Sequence, residues 1–401
     1  MAEELIRPSY FELRAKQLTS LGSVTEETID RFNELIEEGK ELTRSDVLAE
    51  MLSELESEGR DVDGEITFDS SHDQARYETL RRTREREAEA HDELKALVGD
   101  AIRRVEFAQV ARRLTIEDHR DRWDEARGEI RKLYDGFDLP PQVGLIPLGV
   151  NKQGCYEFTH LETQHRPGDG WIDSDEFTAE SGIVFVLIPA GRGRIGHTLS
   201  EFEPEGLSNR SRTNLELYNP PRDVEFDRPF FLAKYELTEA QWNRMNRRQG
   251  GSVLPQGSIL ISRADELLAR FGLRCPTEEE WEYAARAGER TPWRGADTIG
   301  ELPNVEVRIG GTPQILIPGA EGKFVDVNYG DPNSFGLYGI GFNVRELTSS
   351  ELDEDHRALC DGCNGAGPHD TRLAFRMFIP VELTTPWLGL RVAMDVRDRE
   401  D

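Results

Sequence analysis

Through the first 138 residues, apolar side chains recur three and four positions apart and proline is nearly absent, the spacing of helices that bury one face. Ser23 and Glu26 have capping-box spacing, and Ile29, Phe32, Leu35 and Ile36 form one stripe before Gly39, so a helix is expected over 23–39. Val47, Leu48, Met51, Leu52 and Leu55 predict a second helix from Ser45 to Glu58, stopped by Gly59. Residues 61–73, with Gly64, Ser70 and Ser71, read as a linker, a hinge or a cleavage point between helical segments 1–60 and 74–138. The charged run from Gln74 to Leu133 fits long amphipathic helices. Heptad regularity is imperfect, which favours a helical hairpin or small bundle over an extended coiled coil.

At Asp138 to Pro141 the pattern changes to prolines, glycines and short alternating runs, which places a domain boundary there. Residues 139–180 read as a short β-rich connector, and 181–396 as an α+β domain. A domain of this size buries most of its apolar surface without staples.

Charge narrows the possible partners. The chain carries 77 acidic residues against 49 basic ones, a net charge of −28, which repels a phosphate backbone and makes nucleic acid an unsuitable partner. Four cysteines in 401 residues make no disulfide framework. No apolar run is long enough to cross a bilayer, and no leader pattern opens the chain, so a cytoplasmic protein without a membrane partner is expected.

Four C-terminal blocks, in order, carry more specific information. They are FFLAKYELTEAQWNRMN from Phe230, RCPTEEEWEYAAR from Arg274, PNSFGLYGIGFNVREL from Pro332 and WLGLRVA from Trp387. The second matches the Arg-Leu-Pro-Thr-Glu-x-Glu-Trp-Glu-Tyr-Ala-Ala-Arg signature of the formylglycine-generating enzyme (sulfatase-modifying factor) family, with Cys275 in place of leucine. The others resemble that family's remaining blocks. The resemblance implies a C-type-lectin-like fold, a small twisted β-sheet with helices and much irregular loop. GLIPLGVNKQGCYEFTHLET resembles a segment that precedes such domains in bacterial signalling proteins.

Family enzymes oxidise a sulfatase cysteine to formylglycine on copper(I) held by two cysteines, soft ligands suited to that ion. The matching stretch here is CDGCNGAGPHDTRLAFR, and Asn364 to Thr371 contains no cysteine. Cys360 and Cys363 stand where the family has Arg-Gly-Gly-Ser, flanked by His356 and His369. These four could hold zinc or copper, or be ordinary thiols and imidazoles. The resemblance also implies calcium through Asn343, Val344 and Glu346, although Gly339, Phe342, Arg345 and Leu347 depart from the family pattern. His72, His91 and His119 include no His-x-x-x-His pair, so the iron site of the related sulfoxide synthases is not expected.

The expected function is a noncatalytic protein-binding or regulatory module in a bacterial signalling or defence system. Its partner would be a protease, kinase or regulator encoded nearby, with Arg345, Phe375, Arg376, Phe378 and Trp387 as anchors and no cofactor required. The alternative is a divergent metal-dependent oxidase acting on a protein or peptide cysteine through Cys360 and Cys363.

Overall fold

The computed structural model describes residues 34, 47–62, 65–82, 106–164, 176–197, 220–302, 306–308, 314–318, 320, 323–360 and 362–398. The chain divides into two compact units, Met1–Val110 and Ala111–Asp401. The helix expected over 23–39 and the part of the charged run over 83–105 fall outside the described residues, residue 34 excepted.

In the first unit, helix α1 (Val47–Glu58) ends near its expected stop, and strand β1 (Arg60–Val62) follows at once. Strand β2 (Glu65–Thr67) pairs antiparallel with it, Arg60 opposite Thr67, and residues 71–82 are helical. The expected linker over 61–73 is therefore corrected to a hairpin and the start of a helix. Ile66 and Phe68 pack against Leu52, Leu55, Tyr77 and Leu80, so this stretch has an apolar cluster to join.

The second unit begins 28 residues before the boundary expected at 138. A π-helical turn (Arg113–Glu117) leads into helix α2 (Arg120–Leu133), whose Trp123, Ala126 and Ile130 are buried. Trp123 lies 5.5 Å from Phe158, and the Tyr134 hydroxyl donates to the Leu187 carbonyl at 2.7 Å while accepting from the Tyr156 amide. An amphipathic helix this firmly docked belongs to the body that covers its apolar face.

The expected connector is likewise structural. Strands β3 (Leu145–Val150) and β4 (Tyr156–His160) join β5 (Val184–Ile188), β8 (Phe230–Ala233) and β15 (Ala393–Met394) in a five-stranded sheet ordered β15-β8-β5-β4-β3. Short strands β6 (Gly191–Ile195) and β7 (Arg222–Phe226) pair separately, as do β9 (Glu306–Arg308) and β10 (Gln314–Leu316). Strands β11 (Arg345–Asp353), β12 (His356–Cys360), β13 (Arg376–Pro380) and β14 (Leu388–Leu390) form a four-stranded sheet ordered β13-β12-β11-β14.

Helices α3 (Glu239–Met245), α4 (Ile261–Arg270) and α5 (Glu278–Arg286) complete the α+β unit. Thr238 and Thr277 each close a full capping box with the residue three positions on, a feature worth about 1 kcal/mol per cap. Among the described residues no helix is long and apolar enough to cross a membrane.

Candidate functional site

The expected soft-metal set begins on β12, which runs from His356 to Cys360. Cys360 ends this strand, whose last four residues are all buried, and lies in one apolar cluster with Val186, Trp281 and Leu373. Burial pushes its thiol well above the ordinary range, opposing the thiolate that copper or zinc would need. His356 begins the same strand, four residues or about 13 Å away, and its Nδ1 lies 2.7 Å from Asp353. Cys363 is half-buried in the next loop, and burial is the main cause lowering the half-buried His369. Among the described residues no three His, Cys, Asp or Glu side chains gather closely enough to hold a metal. The four-residue set Cys360, Cys363, His356 and His369 is thus not assembled, because one strand sends its two ends to different places.

The segment lacking cysteines folds around Trp293. The indole Nε1 donates to the Pro368 carbonyl at 2.9 Å and to Thr371 Oγ1 at 3.2 Å. Arg372, almost wholly buried, donates to the His369 carbonyl at 2.7 Å and meets His197. Arg376, expected as a partner anchor, is instead a core cation. Only 1% of its side chain is exposed, and it pairs with Glu282 at 2.6 Å and Glu278 at 3.3 Å across the first turn of α5.

Asn343, Val344 and Glu346, expected as calcium ligands, belong to a different buried cluster. Arg391 grips Glu346 through Nη2 at 2.7 Å and Nε at 2.9 Å, and the Trp281 indole donates to the same carboxylate at 2.5 Å. The remaining Arg391 donors reach the Ala233, Lys234 and Tyr338 carbonyls. Glu236 faces this pair and accepts from Asn343 Nδ2 at 2.7 Å and the Val344 amide at 3.1 Å. Burial, reinforced by the Glu346 charge, pushes Glu236 up to about 8. Two of the three expected calcium ligands are thus engaged by protein donors: the Glu346 carboxylate by Arg391 and Trp281, and Asn343 Oδ1 by the Val325 amide at 3.1 Å. Asn343 itself sits at φ +80°, a left-handed conformation that asparagine tolerates better than most residues.

Three of the other anchors, Arg345, Phe375 and Trp387, do converge, whereas Phe378 lies on β13 opposite Ala358 of β12. The Arg345 guanidinium lies 4.6 Å from the Phe375 ring centre and 5.4 Å from that of Trp387, with Asp370 at 3.4 Å. Arg345 has 5% of its side chain exposed, whereas Phe375, Phe378 and Trp387 are half-buried. The arginine thus fixes two aromatic rings from beneath rather than reaching outward itself. Sequence reading missed Glu236, Arg391 and Trp293. The first two lie inside quoted blocks, but nothing local marks them as one cluster.

A model of the sulfatase-modifying factor enzyme 1-like domain family matches residues 173–396. Two curated relatives, both named inactive C-alpha-formylglycine-generating enzyme 2, are similar to the chain. The Bos taurus protein is 31% identical over 144 residues, which is 30% of this chain and 44% of that protein. The Mus musculus protein is 30% identical over 168 residues, 37% of this chain and 52% of that one. The chain spans about half the length of the curated relatives it matches. The structure of PvdO from Pseudomonas aeruginosa aligns with a TM-score of 0.44 at 19% identity, covering 53% of this chain and 95% of that one.

Proposed function

Because this chain belongs, through residues 173–396, to the sulfatase-modifying factor enzyme 1-like domain family, we propose that it uses the family scaffold as a noncatalytic module that binds another protein. The burial of Cys360 carries the reading. A thiol enclosed in the core, at the edge of a segment whose next eight positions after Cys363 hold no cysteine, is poorly placed to form the two-thiolate copper site of the enzymes. The names of the two mammalian relatives, both inactive forms, fit the same reading.

The binding face we assign is the aromatic pair Phe375 and Trp387, stiffened by Arg345. Rigid, half-exposed aromatic rings lose little entropy on docking and commonly supply most of an interface's energy. In this proposal the partner is a protease, kinase or regulator of a bacterial signalling or defence system, and the module needs no metal.

Two measurements test the reading. The full chain is supplied with copper(I) and a cysteine-bearing sulfatase peptide, and the peptide mass is followed. No conversion is expected, and formation of an aldehyde product refutes the noncatalytic reading. Tagged protein is also recovered from its host. A stoichiometric protein partner is expected to be retained by the Cys360→Ser, Cys363→Ser variant and lost by the Phe375→Ala, Trp387→Ala variant. Recovery of the protein alone with bound copper refutes the module and favours the oxidase.

A further inference from the structure

An open groove of about 870 Å³ lies between the β3–β4 hairpin and the loop carrying Tyr338, and none of the cysteines, histidines or partner anchors discussed above lines it. One wall comes from the family domain. The other, residues 148–164, lies before the matched region, so the groove is built partly from residues outside that match.

Its geometry is fixed by a few contacts. Asn151 Nδ2 donates to Glu157 Oε1 at 2.9 Å and to the Phe335 carbonyl at 3.1 Å, tying the hairpin to the opposite loop. Lys234 Nζ donates to Glu157 Oε2 at 2.9 Å and lies 5.6 and 5.9 Å from the ring centres of Tyr235 and Tyr338. Phe177 extends this aromatic row, 4.4 Å from Tyr235, and Tyr235 is 5.2 Å from Tyr338. Gln164 Oε1, which is buried, has no hydrogen-bond donor.

Charge decides what such a lining accepts. An anion meets Glu157 and, at the rim, Glu176 and Asp331, while a cation meets Lys234 and Lys152. A purely apolar ligand would cover these polar groups without pairing them, at a cost of roughly 1–3 kcal/mol for each group left unsatisfied. A neutral ligand with many hydroxyls avoids both penalties. Its O–H groups donate to Gln164 Oε1 and accept from Lys234, and the C–H face of a sugar ring packs on tyrosine. The volume falls within the range of small-ligand sites. We propose that this groove binds a neutral saccharide, with Tyr338 and Phe177 as its packing surface and Gln164 and the Lys234–Glu157 pair as its hydrogen-bonding groups. Neither calcium nor the noncatalytic reading of the domain is required.

The test uses the full chain with maltohexaose, cellohexaose and chitohexaose, followed by titration calorimetry and saturation-transfer NMR up to about 10 mM sugar. At least one hexamer is expected to bind. Tyr338→Ala should weaken it by roughly tenfold or more, and so should Gln164→Leu, a change at a side-chain oxygen that supports no contact in the fold. Raising sodium chloride from about 50 to about 500 mM should leave the affinity unchanged, since no net charge is paired. Glucose and N-acetylglucosamine, titrated alongside, separate the two sources: binding by hexamers alone supports a glycan chain, and equal binding by a monosaccharide supports a free sugar. The proposal is overturned if none of the sugars binds, if both variants retain wild-type affinity, or if the affinity falls steeply with salt.

Discussion

Glu236 should make the second unit less stable as pH rises from about 6.5 to 8, a direction opposite to that of most salt-bridged carboxylates. Arg391 commits its donors to Glu346 and to three carbonyls, so Glu236 keeps only the Asn343 and Val344 N–H groups while facing a second carboxylate. The unfolded chain releases this proton near 4.5, whereas the folded protein holds it to about 8. A raised carboxyl value means that the folded state binds more protons across this window, so stability is full below 4.5 and lost as pH climbs through 8.

Histidine opposes this trend in the lower half of the window. His160 is buried and pushed down to about 3, so the unfolded chain takes up a proton below 6.5 that the folded one refuses, and stability falls as pH drops from there. His369 acts in the same direction. Between 4.5 and 6.5 the acid and the imidazoles act in opposite directions, and as pH rises above 6.5 the imidazole contribution fades and Glu236 dominates among the described residues. One and a half pH units at about 1.4 kcal/mol each give a loss of about 2 kcal/mol. Urea midpoints read by tryptophan fluorescence measure it cleanly, because all six tryptophans lie in the second unit. The Glu236→Gln variant, which cannot ionise, should be equally stable at both ends. Wild-type stability that is flat or rising from pH 6.5 to 8, or a variant that keeps the wild-type fall, would refute the reasoning.

Other predictions follow from the same contacts. Arg376→Leu should cost about 2–3 kcal/mol in the same urea assay, because it removes the buried cation between Glu278 and Glu282 and leaves each with one remaining arginine, Arg222 and Arg286 respectively. Thr277→Ala should lower stability by about 1 kcal/mol through loss of the α5 cap, and Thr277→Ser should restore it. Trp123→Ala should cost about 3–5 kcal/mol and expose the junction near residue 110 to limited proteolysis if α2 is part of the second unit's core. Unchanged cleavage would argue that the helix is peripheral. Arg345→Ala should leave the fold intact but loosen Phe375 and Trp387, weakening partner capture by roughly tenfold, whereas Arg345→Lys should recover only part of it because lysine lacks the planar stacking surface.

Sequence alone determined what acts over a few residues. Capping boxes at Thr238 and Thr277 lie within one helical turn, and the helix over 47–58 follows from its apolar stripe and terminal glycine. The ordered blocks through 396 placed the family domain, and the missing cysteines after Cys363 were legible letter by letter. Tertiary structure decided everything that depends on distant neighbours. Arg391 meets Glu346 across 45 positions, Arg376 meets Glu282 across 94, and the Asn151 strut reaches Phe335 across 184. Composition marked 61–73 as a linker, yet Ile66 and Phe68 found an apolar cluster to join. A carboxylate, an arginine or a thiol carries the same letter whether it is solvated or enclosed. Its pairing, its proton and its chemistry follow from the dielectric and the partners that folding places around it.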